Sequence, residues 1–201
     1  MISKEKYYEW HDEEIGFGDY LNYFKNKNPV LDLGCGIGWL GKHHNHMYGI
    51  DNDKLAIEKA KKFEKAFLCD ISKEKLPFKE SFFEGVIAKD IIEHVLNPII
   101  FIKEIKRVLK EKGIIFISTK LPSKSFWDDY THIRPYNKKS LISLLEDNDF
   151  KVKRIWYSGK WPGLGIFMKF FKKHKTPRFF FFLTNLGINR NNINIVAIKT
   201  Q

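Results

Sequence analysis

The segment VLDLGCGIGWLG (30–41) constrains this chain most. A short apolar run closes on Gly34, and Gly36, Gly38 and Gly41 follow within seven residues. A buried strand ending in glycines turns sharply and leaves bare backbone on which a ligand can lie. Gly36-x-Gly38-x-x-Gly41 satisfies the spacing of a dinucleotide fingerprint. Taken alone, the same glycines also fit a strand-to-helix turn with no ligand.

The rest of the chain alternates strand and helix signals. Apolar runs at 29–34, 47–51, 66–70, 83–90, 113–119, 151–157 and 192–199 predict strands. Residues 53–63 carry a mixed apolar and charged pattern of helical type. Asn97 and Pro98 predict a capped helix start, with Ile99, Ile102, Ile105 and Val108 at helical spacing and Gly113 as the stop. Asn137 predicts a further helix carrying Leu141, Leu144 and Leu145. Alternation of this kind implies a mostly parallel sheet covered by helices on both faces. The last two strands are expected to form an antiparallel hairpin at one edge.

In such sheets ligands bind outside the carboxyl ends of the strands. Gly34, Asp51, Asp70 and Asp90 all fall at or just past predicted strand ends. A carboxylate at Asp51 suits the two hydroxyls of a ribose. Asp70 suits an adenine amino group, or a turn cap. Asp32 lies inside the first strand, where a buried carboxylate needs donors and would repel a pyrophosphate. A cationic, phosphate-free adenosine ligand therefore fits better than NAD, and 201 residues leave no room for a separate catalytic domain.

Together these residues resemble the class I S-adenosylmethionine-dependent methyltransferases, the small-molecule subgroup similar to quinone and sugar methyltransferases. VLDLGCGIG resembles the first family motif, YGID the second and LCDI (68–71) the adenine-contacting stretch. FFEGVIAKDIIEHVLNP and LKEKGIIFIST resemble the fourth strand with its loop and the strand that follows. The resemblance covers about residues 28–150 and implies an α/β, Rossmann-like seven-stranded sheet with that C-terminal antiparallel hairpin. It implies that Asp32, Gly34 and Gly36 hold the methionine end of S-adenosylmethionine, with S-adenosylhomocysteine as the product. It assigns Asp51 and Asn52 to the ribose, Asp70 and Ile71 to the adenine, and Asp90 to a place near the methyl group. Glu93-His94 reads as mainly structural. Only 15 residues separate Gly36 from Asp51, so the first helix must be short. His43, His44 and His46 read as a solvated turn, and no metal is expected.

Methyl transfer from a sulfonium is an in-line displacement that needs alignment and exclusion of water. A hydroxyl nucleophile also needs a base. The segment FWDDYTHIRPYNKKSL (126–141) resembles the loop bordering the acceptor pocket. It makes His132 the candidate base, and Tyr130, Arg134 and Tyr136 the candidate substrate contacts. The alternative is that His132 to Pro135 only shapes a loop. The segment AKDIIEH lacks the Asn/Asp-Pro-Pro-aromatic loop of base-amino methyltransferases. A sugar, a quinone or a lipid-linked small molecule remains as the acceptor.

Charge divides the chain. Residues 151–201 hold 11 Lys/Arg, no acid and 10 aromatic residues, and so carry the whole net charge of +11. The basic, aromatic stretch 159–188 fits a membrane-interface segment, a lid over the acceptor pocket, or an ordinary core pair of helices. It forms an insert (159–191) between a core at 29–158 and the last strand at 192–199. Residues 1–28, with Tyr7, Tyr8, Trp10, Phe17, Tyr20 and Phe24, are expected to form a helical cap over the cofactor. Cys35 and Cys69 fit a reducing compartment, no apolar run reaches the roughly 20 residues of a membrane span, and the N-terminus lacks a signal-peptide core. A cytoplasmic monomer or homodimer is expected, with possible peripheral membrane contact and no nucleic-acid partner. A non-enzymatic RNA- or membrane-binding member of the fold, or an NAD-binding module, are the alternatives.

Overall fold

The structure is a computed structural model that describes residues 19–159 and 190–200. Seven strands form one sheet in the order β3-β2-β1-β4-β5-β7-β6. They are β1 (Val30–Leu33), β2 (Met47–Asp51), β3 (Lys65–Leu68), β4 (Phe83–Lys89), β5 (Leu109–Lys120), β6 (Phe150–Ser158) and β7 (Asn192–Lys199). Pairings among β1 to β5 are parallel, and β7 runs antiparallel to both β5 and β6. The last two strands thus pair as expected, but β7 lies inside the sheet and only β6 forms the edge. Strand order reverses between β1 and β4, which opens a crevice at their carboxyl ends.

Helix starts follow the capping chemistry. In α1 (Lys54–Ala60) the Asp53 carboxylate accepts from Leu55 N at 2.8 Å. In α2 (Pro98–Val108) Asn97 Oδ1 accepts from Ile100 N, with Pro98 in the first turn. In α3 (Lys138–Glu146) Asn137 and Ser140 cap each other reciprocally. The expected stop of α2 at Gly113 moves back to Val108, because β5 begins at Leu109 and pairs with Phe83. Lys112, at φ 60°, and the tight approach of Gly113 to Lys110 O mark the bend that makes room for this. The segment after β1 is a single short turn (Leu40–Lys42), as the spacing to Asp51 requires.

Alternation along the strands feeds two apolar layers. Leu31, Leu33, Val86, Ala88, Ile115 and Ile117 face α2 and α3. Val30, Ile87, Phe116 and Val196 face the other way, onto Tyr20, Phe24 and Trp156. Of the expected cap (1–28), residues 19–28 are described, with a short helical turn at Asp19–Tyr23. Tyr20 stacks on Phe116 at 4.1 Å, and Phe24 packs against Gly85 and Val30 at the amino ends of β4 and β1. That is the end of the sheet opposite the glycine turn, so burial of these rings serves the core. Residues 1–18 and most of the basic aromatic insert (160–189) lie outside the described residues. The insert's two ends are tied together, with Asn191 N donating to Ser158 O and Leu121 N donating to Asn191 O. No helix among the described residues is long and apolar enough to cross a membrane.

Candidate active site

The glycine turn is fastened to the tip of β2. Gly34 N and Cys35 N both donate to Ile50 O, at 2.8 and 3.0 Å. Gly36 N donates to Asp51 Oδ2 at 2.9 Å, and Asp53 N donates to Asp51 Oδ1 at 2.9 Å. Burial raises the Asp51 pKa, and these backbone donors oppose the rise. The glycines have different tasks. Gly38, at φ 77°, lies so close to α1 that a Cβ would sit 2.7 Å from Ala60 Cα. Gly36, at φ 52°, has nothing within 4 Å of where a Cβ would be. The turn therefore offers an open ledge of backbone beside a partly buried carboxylate, a cradle that fits an adenosyl ligand rich in hydroxyls.

Asp32 is buried within β1 and is registered between Gly49 and Ile87. Behind it, burial and the nearby Asp32 and Glu64 carboxylates push the Cys35 thiol far up, so it stays protonated. Asn52 is exposed beside Asp51. Asp70 follows β3, accepts from Ser72 N at 3.0 Å and pairs with Lys73 at 2.8 Å. The Lys73 hydrogen bond holds its pKa below the usual carboxylate range. Ile71 packs on the core beside it. Asp90 closes β4 in a left-handed conformation, φ 51°, with its N–H on Ser118 O. Its Oδ1 accepts from Asn192 Nδ2 of β7 at 2.8 Å.

The loops after β4 and β5 bring Glu93, His94 and His132 together, with ligand-type atoms within 4.8 Å of one another. Glu93 is fully buried. Its Oε2 accepts from Thr119 Oγ1 at 2.9 Å, and its backbone carbonyl accepts from Ile133 N at 2.8 Å. Burial, helped by Asp90, pushes the Glu93 carboxyl up to about 7. His132 is buried, and its Nδ1 must donate, because its partner is the Phe126 carbonyl. His94 Nδ1 likewise donates to Thr131, whose hydroxyl already gives its proton to Asp129 at 2.6 Å. Both rings therefore commit Nδ1 to a backbone carbonyl, which leaves Nε2 as the atom that can exchange a proton. The ring centroids are 4.8 Å apart, and His132 Nε2 lies 3.7 Å from Asp129 Oδ2. Burial lowers the His94 pKa. Burial alone would raise Asp129, but the Thr131 hydrogen bonds and the two imidazoles hold it below the usual range.

The expected substrate contacts separate. Tyr130 is 94% exposed, faces solvent and is not gathered into the site. Arg134 and Tyr136 line a cleft of about 550 Å³ between the start of α2 and one face of α3. Two residues gain a place that the sequence reading does not give them: it takes His94, with Glu93, as mainly structural and assigns Asn192 no role. His94 sits with His132, although 37 residues separate it from its own partner Thr131. Asn192 reaches Asp90 across 102 residues. Only the Glu93-His94 dipeptide offered a signal for the first, and none existed for the second.

A seven-stranded sheet with β7 antiparallel, a glycine turn and carboxylates at successive strand tips defines a class of enzyme. The chain belongs to the class I S-adenosylmethionine-dependent methyltransferase family. The family model for the methyltransferase domain matches residues 31–117. An uncharacterised protein of Methanocaldococcus jannaschii is 31% identical over 165 residues, covering 73% of this chain and 78% of its own length. The ubiquinone biosynthesis O-methyltransferase of Pelagibacter ubique is 37% identical over 99 residues, 45% of this chain and 41% of that protein. The crystal structure of a SAM-dependent methyltransferase from Archaeoglobus fulgidus superposes with a TM-score of 0.70 at 21% identity, covering 96% of this chain and 100% of that one. The family's methyl donor, S-adenosylmethionine, is the cofactor the ledge at Gly36 suits.

Proposed function

We propose that this protein methylates a small-molecule or lipid-linked acceptor. The observation that carries the reading is the Gly36–Asp51 junction, an open backbone ledge beside a carboxylate at the switch point of the sheet. Asp51, with Asn52 beside it, binds the ribose hydroxyls, and Asp32, Gly34 and Gly36 receive the methionine end. Asp70 and Ile71 flank the adenine, and Asp90 lies near the methyl group, held by Asn192. The bound donor supplies an electrophilic sulfonium methyl whose leaving group is a neutral sulfide.

The chain's own residues then supply alignment and a proton acceptor. His132 is the base assigned from sequence, and its burial implies that it acts with His94. His94 is half-buried, kept neutral by burial, and carries its lone pair on Nε2. In this reading His94 takes the acceptor's proton, and the His132–Asp129 pair steadies the positive charge that results. Glu93 holds the two loops in place through Thr119 and Ile133.

Calorimetry with S-adenosylhomocysteine and NAD side by side tests the reading. Saturable binding of the first alone is expected, weakened at least tenfold by Asp51→Asn. Binding of NAD, or of neither, would overturn it.

A further inference from the structure

The cleft between α2 and α3 is not used by the residues assigned to the donor. Its floor and walls come from the start of α2, one face of α3 and the segment 134–136. We infer that this cleft binds an amphipathic anion, with Arg134 and Tyr136 receiving the charged head and Leu96, Ile99 and Leu144 receiving an apolar body. The inference deepens the proposed function by naming the acceptor's chemical class, and it rests on that reading only in calling the ligand an acceptor.

Four observations converge on it. The 11-residue α2 opens at the cleft through Pro98 and Ile99, and the positive end of its dipole favours negative charge there, while α3 presents one face through Ser140, Ser143 and Leu144. Arg134 is exposed at that space, and no acidic side chain is among the described lining residues. Tyr136 is only 3% exposed, and its hydroxyl, beside the Arg134 guanidinium, has no acceptor for its proton among the described residues. A buried donor left without an acceptor is costly, and an anionic oxygen arriving beside Arg134 would satisfy it. Finally, Leu96 and Ile99, on either side of the Asn97-Pro98 helix start, are 70% and 51% exposed at the rim, which is unusual for two large aliphatics so close together.

The cleft also lies next to the chemistry. Leu96 is two residues beyond His94, and Arg134 is two residues beyond His132. Glu93 O accepts from both Ile133 N and Arg134 N, so the two strips of chain are zipped together between cleft and histidines. A carboxylate and a phosphate monoester share the required chemistry, and the probes separate them.

The test titrates the full chain with octyl phosphate, octanoate, octanol and inorganic phosphate, and separately with S-adenosylhomocysteine. Octyl phosphate or octanoate should bind saturably, and the tighter of the two identifies the head group. Octanol and inorganic phosphate should bind at least tenfold more weakly. Arg134→Gln should weaken the octyl anion at least tenfold and leave S-adenosylhomocysteine binding unchanged. Tyr136→Phe should weaken the anion severalfold with the melting temperature little changed, because the proton it removes has no acceptor among the described residues. Equal affinity for octanol and the octyl anions, or an Arg134→Gln variant that binds as well as the parent, would overturn the inference. Loss of S-adenosylhomocysteine binding with the octyl anion still bound would instead overturn the methyl-transfer reading and leave the anion site standing. Should Arg134→Gln fail to fold, the octanol comparison on the parent protein decides the matter.

Discussion

The two halves of the site are built by opposite means, and each buries one glutamate that shows it. In the glycine-turn half, Glu64 lies behind the turn, and among the described residues only the weakly donating Cys35 thiol is at hand for its oxygens. In the histidine half, Glu93 receives Thr119 Oγ1 and ties two loops together. Burial pushes both carboxyls up to about 7. The first half owes its shape to backbone: glycine dihedrals, and amides gathered by Ile50 O and Asp51. The second owes its shape to side chains brought from distant parts of the chain. Backbone conformation is therefore the sensitive variable in one half, and side-chain identity in the other.

Substitution of glycines gives the largest expected contrast. Gly38→Ala adds a clash with α1 to an unfavourable left-handed conformation and should cost roughly 4 kcal/mol. Gly36→Ala meets open space and should cost only about 1 kcal/mol, while still weakening S-adenosylhomocysteine. Urea unfolding and calorimetry on the pair check this, and equal destabilisation would break the division drawn between the two glycines.

The glutamates come next. Each has a native pKa of about 7 against an ordinary value of 4.5, so the unfolded chain releases these protons first. The stability linked to each, roughly 3 kcal/mol, is present in full below about pH 4.5 and lost as pH rises through about 7. Carboxyls held low, such as Asp129 and Glu104, act in the other direction and in a lower window, as pH falls below their ordinary range. Stability should therefore decline from pH 5 to pH 7. Glu64→Met should remove part of that decline and stabilise the protein at pH 8, since it deletes a buried carboxyl that has only the Cys35 thiol beside it. Glu93→Leu should instead destabilise by about 2 kcal/mol, because it strands Thr119 Oγ1. Identical responses to the two substitutions would contradict the comparison.

Function should divide along the same line. His94→Gln should slow methyl transfer by about 100-fold, once an acceptor is found by its mass gain, with donor affinity unchanged. Asp51→Asn should do the reverse, weakening the donor most. The smallest effect belongs to Lys73→Ala. Its pair with Asp70 is exposed at the surface, so the melting temperature should not move measurably.

This division also explains what could be read from the amino-acid sequence. Signals that act within a few residues were legible. The bounds of β2, the Asn97-Pro98 start of α2, the Asn137 cap and the shortness of the segment after β1 all follow from local chemistry. The glycine turn and the carboxylates at strand ends belong to the same category, because a strand's end fixes where its last residue lies. The histidine half was only partly legible. His132 and Arg134 stood out by residue type, but Tyr130, chosen on the same ground, faces solvent. Whether a loop side chain turns inward depends on partners far along the chain, as with Asn192 and Asp90. The seat of β7 between β5 and β6 is of the same kind, since a pattern of alternating residues does not say which neighbour a strand will choose.

The central claim is that the turn after β1 holds the adenosyl donor. Amide NMR of the labelled protein, titrated with S-adenosylhomocysteine, tests it most directly. Shifts concentrated at Gly34, Gly36, Asn52, Asp70 and Ile71, and abolished by Asp51→Asn, are the predicted result. A spectrum unchanged at these amides, or shifts confined to other parts of the sheet, would contradict the account.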